Sequence, residues 1–336
     1  MRYVTSLPGE NAECLCHGLV EVFEHIGGVP PVIVMDNATG AGRRNARGEV
    51  TPAAVFDAFL AHHRIDARFR DPYSGWEKGA VENAVGFLRR NLMVPPLEAE
   101  THTQLGRIML DRCDALAASS RHYRRGAAIG DVFGEDRAAL MPLPSTTFDP
   151  IRWESRRADK YGQIDIDSNR YLAGPALHGR RLLAAVRWDS VQITDPGTGE
   201  IVAGYPRIYG RSPSTLQDPE LAMPVLAAKP GSWRESSIRP DFSEDVRAWL
   251  DEADSKRLAQ SLGSIGAACA AAGFGNAVAA ASRAIADRPG SALGESTLVT
   301  LALRARDADD GAITDDGPAL AGYDRFITGD GGKETG

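Results

Sequence analysis

Between Asn11 and His25 apolar residues return with a helical period, so that Leu15, Leu19, Val22, Phe23 and Ile26 share one side, and Gly27-Gly28 supply a stop. Ahead of this helix "MRYVTSL" has the alternation of a strand. After it "PPVIVMDN" carries four consecutive apolar residues, the signature of a strand buried on both faces, and the run ends abruptly at Asp36. Thr51 with Pro52 reads as a cap and first helical position, opening a helix through His63 with Val55, Phe56, Phe59 and Leu60 facing inward. "IDARF" predicts another short strand, residues 71–75 a turn, and residues 76–92 a helix that ends before Pro95-Pro96.

Beyond residue 98 the period stays helical to Leu140, and "MPLPSTTFDP" reads as a linker. Residues 151–212 switch to short alternating stretches with Gly and Pro turns, which favours a small barrel. A proline-containing connector then leads to helices near 243–286 and 295–306, and the acidic, Gly-rich end is expected to be disordered. Strands alternating with helices in the first block place it in the α/β class.

Composition changes this picture little: 336 residues, 43% hydrophobic and 25% charged, suit a globular chain of two or more domains. The net charge of -7 argues against a generally basic nucleic-acid coat. The sum hides a mildly basic middle, with 10 basic and 7 acidic residues over 151–211, and an acidic end. The sequence "MRYVTSLPGE" has no apolar signal region, and the long uncharged run at 264–282 is too rich in Ala, Gly and Ser for a membrane span. Four cysteines in so long a chain suggest reduced thiols and a cytoplasmic location. Cys14-x-Cys16-His17 has no second ligand pair at zinc spacing, and small buried thiols on a helix account for it.

Two carboxylates stand out. Asp36 follows a buried strand, where open α/β sheets place ligands, although an Asp that caps the next turn would look the same. Glu82 falls on the flank of its helix with Lys78, Gly86, Arg89 and Arg90, beside an apolar side of Ala80, Val81, Val85 and Leu88. A solvated i, i+4 partner of Lys78 is one account of Glu82. The other starts from Gly79 and Gly86, each costing about 1 kcal/mol against alanine in a helix. They leave room for a large ligand such as a nucleic-acid backbone, contacted by Lys78, Arg89 and Arg90, with Tyr73 or Trp76 stacking. Asp36 and Glu82 are then hard oxygen donors for Mg²⁺ or Mn²⁺, which polarise a scissile phosphate. Arg43 and Arg44, in the loop after Asp36, either track DNA or are simply solvated. Arg121, Arg124 and Arg125 around Tyr123, and Arg180, Arg181 and Arg187 further on, carry the same two readings.

The stretch "GGVPPVIVMDNATGA", a helix, a strand and then "DPYSGWEKGAVENAVGFLRRNLMVPP" resembles the retroviral-integrase-type DDE transposases, most closely the IstA-type bacterial insertion-sequence transposases. The resemblance implies that Asp36 is the second catalytic Asp, in the family's "DN", and Glu82 the catalytic Glu, in "KGxVEN", followed by Asn83. It implies an α/β ribonuclease-H-like core whose first strand is missing, then a small all-β barrel and an α-helical tail. The corresponding divisions are a partial catalytic core at 1–95, a helical extension at 96–140, a linker at 141–150, the barrel at 151–212, a connector at 213–242, a helical tail at 243–306 and a disordered acidic tail at 307–336. The implied partners are transposon-end and target DNA, further copies of the chain on DNA, and a helper ATPase of the AAA+ type, near the bacterial nucleoid. Residues 1–35 contain no Asp that could serve as the first acid of the triad. The expectation is therefore an N-terminally truncated transposase, impaired in catalysis, or else a non-catalytic DNA- or partner-binding remnant.

Overall fold

A computed structural model describes residues 1–35, 40–44, 50–69, 85–210, 213–288 and 291–312. The chain divides into two units. The first comprises Met1–Arg157, Asp167–Asn169 and Arg180–Ser214, and the second Ala158–Ile166, Arg170–Gly179 and the chain from Thr215 onward.

In the first unit, helix α1 (Ala12–Ile26) starts at Asn11, whose side chain accepts a hydrogen bond from the Cys14 N–H at 2.9 Å. It stops at Gly27, which takes the left-handed conformation (φ 75°), and the N–H groups of Gly27 and Gly28 both reach back to the Phe23 carbonyl. Strand β1 (Val32–Met35) pairs in parallel with β4 (Asp66–Phe69), Val32 opposite Asp66 and Met35 opposite Phe69. Helix α2 (Ala54–His63) lies between them in sequence, as a parallel crossover requires. Val20, Phe23, Val55, Phe56 and Phe59 form the core beneath this pair. Among the described residues the other edge of β1 is unpaired, and Val34 is 54% exposed on it.

Several sequence expectations change here. Residues 1–7, expected as a strand, join no sheet among the described residues. Side chains hold them instead: the Tyr3 ring meets His25 and Phe133 edge-on, and the Thr5 hydroxyl donates to Glu21 at 2.5 Å. Alternation gives a segment two faces, but a strand also needs a neighbour to complete its ladder. Thr51 and Pro52 do not open α2. They belong to β3 (Val50–Pro52), antiparallel to β2 (Gly42–Arg44), and α2 begins after Ala53 without a side-chain cap.

Helix α3, residues 85–92, precedes α4 (His102–Ser119) and α5 (Ile129–Ala138). Next come β5 (Arg152–Arg157), β8 (Arg181–Val186), β9 (Ser190–Thr194) and β10 (Ile201–Pro206), in an antiparallel sheet of order β10-β9-β8-β5. The barrel expected over 151–212 is therefore corrected to an open sheet with β10 and β5 at its edges. The intervening strands β6 (Gln163–Ile166) and β7 (Asn169–Leu172) form a separate three-stranded sheet with β11 (Thr215–Leu216), order β11-β7-β6. Period-two alternation marks strands and faces but says nothing of which edges meet, and closure requires the first and last strands to pair.

In the second unit, α6 (Pro219–Ala228), α7 (Glu244–Asp251), α8 (Ser255–Ala272), α9 (Phe274–Asp287) and α10 (Glu295–Ala312) surround Met223, Trp233, Phe242, Leu262 and Ile265. Helix α6 falls where a connector was expected, because Pro219 is tolerated at the first helical position and Pro224 hides the period. Gly273, at φ 86°, divides α8 from α9 within what reads in sequence as one continuous helix. The described part of the chain is thus mixed α/β with small sheets. Two parallel strands and their helices are common to many α/β cores, so they do not single out a ribonuclease-H-like sheet.

Candidate functional site

The strand β1, paired in parallel with β4, ends at Met35, one residue before Asp36 in sequence. Asp36, Tyr73, Trp76, Lys78, Glu82 and Asn83 lie outside the described residues. Past Asp36 the chain is anchored again at Gly40, where an added Cβ would stand 3.2 Å from the Asn11 carbonyl oxygen, and at Gly42, where it would stand 2.4 Å from that of Thr51. These close approaches hold Gly40 against the start of α1 and Gly42 against Thr51 in the β2–β3 hairpin. Arg43, opposite Thr51 in that hairpin, is exposed, and Arg44 is opposite Val50.

Helix α3 continues directly from the segment that bears Glu82. Arg89 and Arg90 are both exposed on it, while Leu92 is buried and its carbonyl accepts from Arg112 Nη1 at 2.6 Å. Among the described residues a Cβ at Gly86 would meet only the Arg90 guanidinium, at 3.5 Å.

Beside the hairpin lies a cavity of about 640 Å³ bordered by Asn11, Gly40, Arg43, Thr51, Arg152 and Arg207. Its wall is an ion-pair network that the sequence did not disclose. Glu13, 1% exposed, accepts from Arg152 Nε at 2.6 Å and from Arg207 Nη1 at 3.2 Å, and Asp167 receives both arginines at 2.8 Å. Burial opposes the charge on Arg207, but Tyr209, Glu13 and Asp167 favour it and hold its pKa above the usual arginine value. The Tyr209 hydroxyl donates to the Trp188 carbonyl, and the Trp188 ring stacks on His17 at 4.4 Å. Together these contacts tie the first turns of α1 to the open sheet. Glu13 lies in the first turn of α1, and its partners are 139 and 194 residues away along the chain, so no local pattern announces them.

Cys14 and Cys16 are both buried on α1, and burial pushes the Cys16 thiol up, with Glu13 adding to the shift. His63 is buried with Nδ1 3.0 Å from the Phe59 carbonyl, whereas His62 reaches the Thr146 carbonyl at 2.9 Å. Arg180 and Arg187 form ion pairs with Asp195 (2.7 Å) and Asp149 (2.9 Å). Among the described residues no group of three or more His, Cys, Asp or Glu is arranged to hold a metal ion, and no helix is long and apolar enough to cross a membrane. Asp36 and Glu82 fit a hard divalent cation through the chemistry of their donors, two carboxylates.

Comparison with known proteins adds identity to this geometry. Residues 143–217 match the family described as Mu transposase, C-terminal domain. A transposase for insertion sequences IS1326/IS1353 from Pseudomonas aeruginosa is 29% identical over 220 residues, 64% of this chain and 43% of its own. A transposase from Aminobacter aminovorans is 29% identical over 236 residues, 68% of this chain and 46% of its own. The transposase for insertion sequence element IS21 from Pseudomonas aeruginosa is 27% identical over 188 residues, 56% and 48%. The chain thus spans less than half the length of the relatives it matches.

Proposed function

Starting from its kinship with insertion-sequence transposases, we propose that this chain acts on DNA as part of such a transposase, with Asp36 and Glu82 as the carboxylates of a metal-dependent site for end cleavage and strand transfer. The observation that carries the reading is the match to transposases over more than half the length of the chain, and the parallel β1–β4 pair, whose first strand ends one residue before Asp36 in sequence, supports it. Asp36 and Glu82 would hold Mg²⁺ or Mn²⁺ in a core of ribonuclease-H-like type. When bound, such an ion stabilises charge on the scissile phosphate and lowers the pKa of a hydroxyl nucleophile.

The remaining work falls to side chains of this chain. Arg43 and Arg44 on the hairpin, Lys78, and Arg89 and Arg90 on α3 would neutralise backbone phosphates on either side of the carboxylates. Tyr73 and Trp76 would stack on bases, and Asn83 would hydrogen-bond beside Glu82. Further copies of the chain and an AAA+ helper ATPase are the proposed partners, and the domain divisions given above are part of the same proposal, with the open sheet and its three-stranded neighbour in place of the barrel.

The test is single-turnover strand transfer on labelled end DNA with Mn²⁺, comparing the chain with Asp36→Asn. Product that disappears with Asp36→Asn supports the catalytic reading. In a second reading the chain binds DNA or a partner without catalysing transfer. Full DNA binding with no product at any Mn²⁺ concentration would select it.

A further inference from the structure

We propose that the loop 121–128 and the cavity beside it form a seat for an unpaired nucleotide of DNA, its base against the Tyr123 and Phe87 rings and its phosphate on Arg2 and Arg121. The proposal rests on the DNA-processing reading above and adds to it a place for a strand that has left the duplex.

Tyr123 is 82% exposed, more than any other large apolar side chain described as exposed. Its loop is nevertheless held in one shape. The His122 N–H donates to the Ala127 carbonyl at 2.8 Å, the Gly126 N–H donates to the His122 carbonyl at 2.8 Å, and Arg121 pairs with Ala128 across the base. Gly126 sits at φ 69°, which a side chain would resist, and Arg121 Nη1 closes the loop on the Gly126 carbonyl at 2.8 Å. An aromatic ring displayed on a fixed loop loses little conformational entropy when something stacks on it.

The surroundings specify the ligand. The cavity, of about 430 Å³, has an apolar floor of Cys113, Leu116 and Ala117 on α4, and Arg2, Arg121 and Tyr123 at its sides. Among the described residues no carboxylate lines it. Two guanidinium–ring pairs border it, Arg2 over Phe87 at 4.8 Å and Arg124 over Tyr123 at 5.2 Å. Among the described residues neither Arg2 nor Arg124 has a carboxylate partner, whereas Arg125 is occupied by Glu135 at 2.7 Å. Flat apolar faces, cations and no acid together suit a planar base attached to an anionic phosphate. A double helix keeps its bases stacked inside and could offer this cavity only its backbone. Phe87 is on α3, in the chain just past Glu82, so the seat lies on the helix that leads away from the proposed catalytic glutamate.

Fluorescence anisotropy in EDTA tests the assignment without any catalysis. The probes are a short oligothymidylate, a blunt duplex, and the same duplex with a single-stranded 3′ tail. The tailed duplex and the oligothymidylate should bind more tightly than the blunt duplex. Tyr123→Ala should weaken both about tenfold, the size of one lost base–aromatic stack, and leave the blunt duplex unchanged. Tyr123→Trp should restore binding, and Arg2→Ala should reduce its salt dependence. Unchanged binding by Tyr123→Ala, an equal loss on the blunt duplex, or competition by free thymidine 5′-monophosphate as effective as by the oligomer would each overturn the proposal. Circular dichroism confirms that each variant is folded. The binding assay needs neither metal nor catalysis, so failure here and failure of strand transfer are separate results.

Discussion

Replacing Glu13 with alanine removes a buried anion that Arg152 and Arg207 share. Its carboxylate is 1% exposed, the Arg207 side chain is 5% exposed, and the two are 3.2 Å apart, with Arg152 at 2.6 Å on the other oxygen. Removing one partner of a buried ion pair costs roughly 3–5 kcal/mol, because the remaining charge stays desolvated and uncompensated. Asp167 still contacts both arginines at 2.8 Å but is 39% exposed and partly screened, and Arg152 also keeps its ion pair with Glu154, so together they offset some of the loss. The expected cost is therefore at the lower end, about 3 kcal/mol. Asp167→Asn should cost less than about 1 kcal/mol, since the more exposed member of a network contributes least. Urea unfolding followed by tryptophan fluorescence measures both, with Trp188 as a local reporter through its stacking on His17. A cycle combining Glu13→Gln with Arg207→Met isolates the pair. If Glu13→Ala costs under 1 kcal/mol, or no more than Asp167→Asn, the network is hydrated in solution and the tie between α1 and the open sheet does not depend on it.

Phe59→Ala should destabilise the first unit by roughly 3–5 kcal/mol, since the ring is fully buried among Phe23, Phe56, His63 and Phe148; thermal unfolding reports it. Burial opposes protonation of His63 and places its pKa below the usual histidine value, against a hydrogen bond to the Phe59 carbonyl that works the other way and with His62 adding to the lowering. A group with a depressed folded pKa that must stay neutral takes up a proton on unfolding. Stability should hold above the usual histidine pKa and decline as pH falls through it toward the folded value, and a pH series of melting temperatures should lose this slope in His63→Asn. Gly42→Ala should cost roughly 1–3 kcal/mol, since the new Cβ meets the Thr51 carbonyl oxygen at 2.4 Å and the hairpin must open to admit it; loss of amide protection over β2–β3 by hydrogen exchange is the readout.

Much of the local architecture follows from nearest neighbours along the chain. The apolar side of α1, its Asn11 cap and its Gly27 stop are short-range preferences, so the helix is where the sequence puts it. The inward Val55, Phe56 and Phe59 of α2 are equally local, whereas β1, expected to be buried on both faces, is only half-buried among the described residues and exposes Val34. Where a proline or glycine altered the meaning of a pattern, as at Pro52, Pro224 and Gly273, sequence reading placed an element wrongly or joined two that are distinct. The chemical identity of the candidate site was likewise a matter of order, Asp36 closing a strand and Glu82 within its motif.

Long-range pairing was decided only in three dimensions. The strands between 151 and 212 alternate as a barrel's would, yet β6 and β7 leave to pair with β11, and the sheet that remains stays open. Glu13 acquires its partners from Arg152 and Arg207, and the Tyr123 loop acquires its cavity from α3, α4 and Arg2. Residue type and period express what a segment prefers by itself. Which edge, charge or ring it meets depends on the free energy of the whole packed unit, and that sum has no signature at any single position.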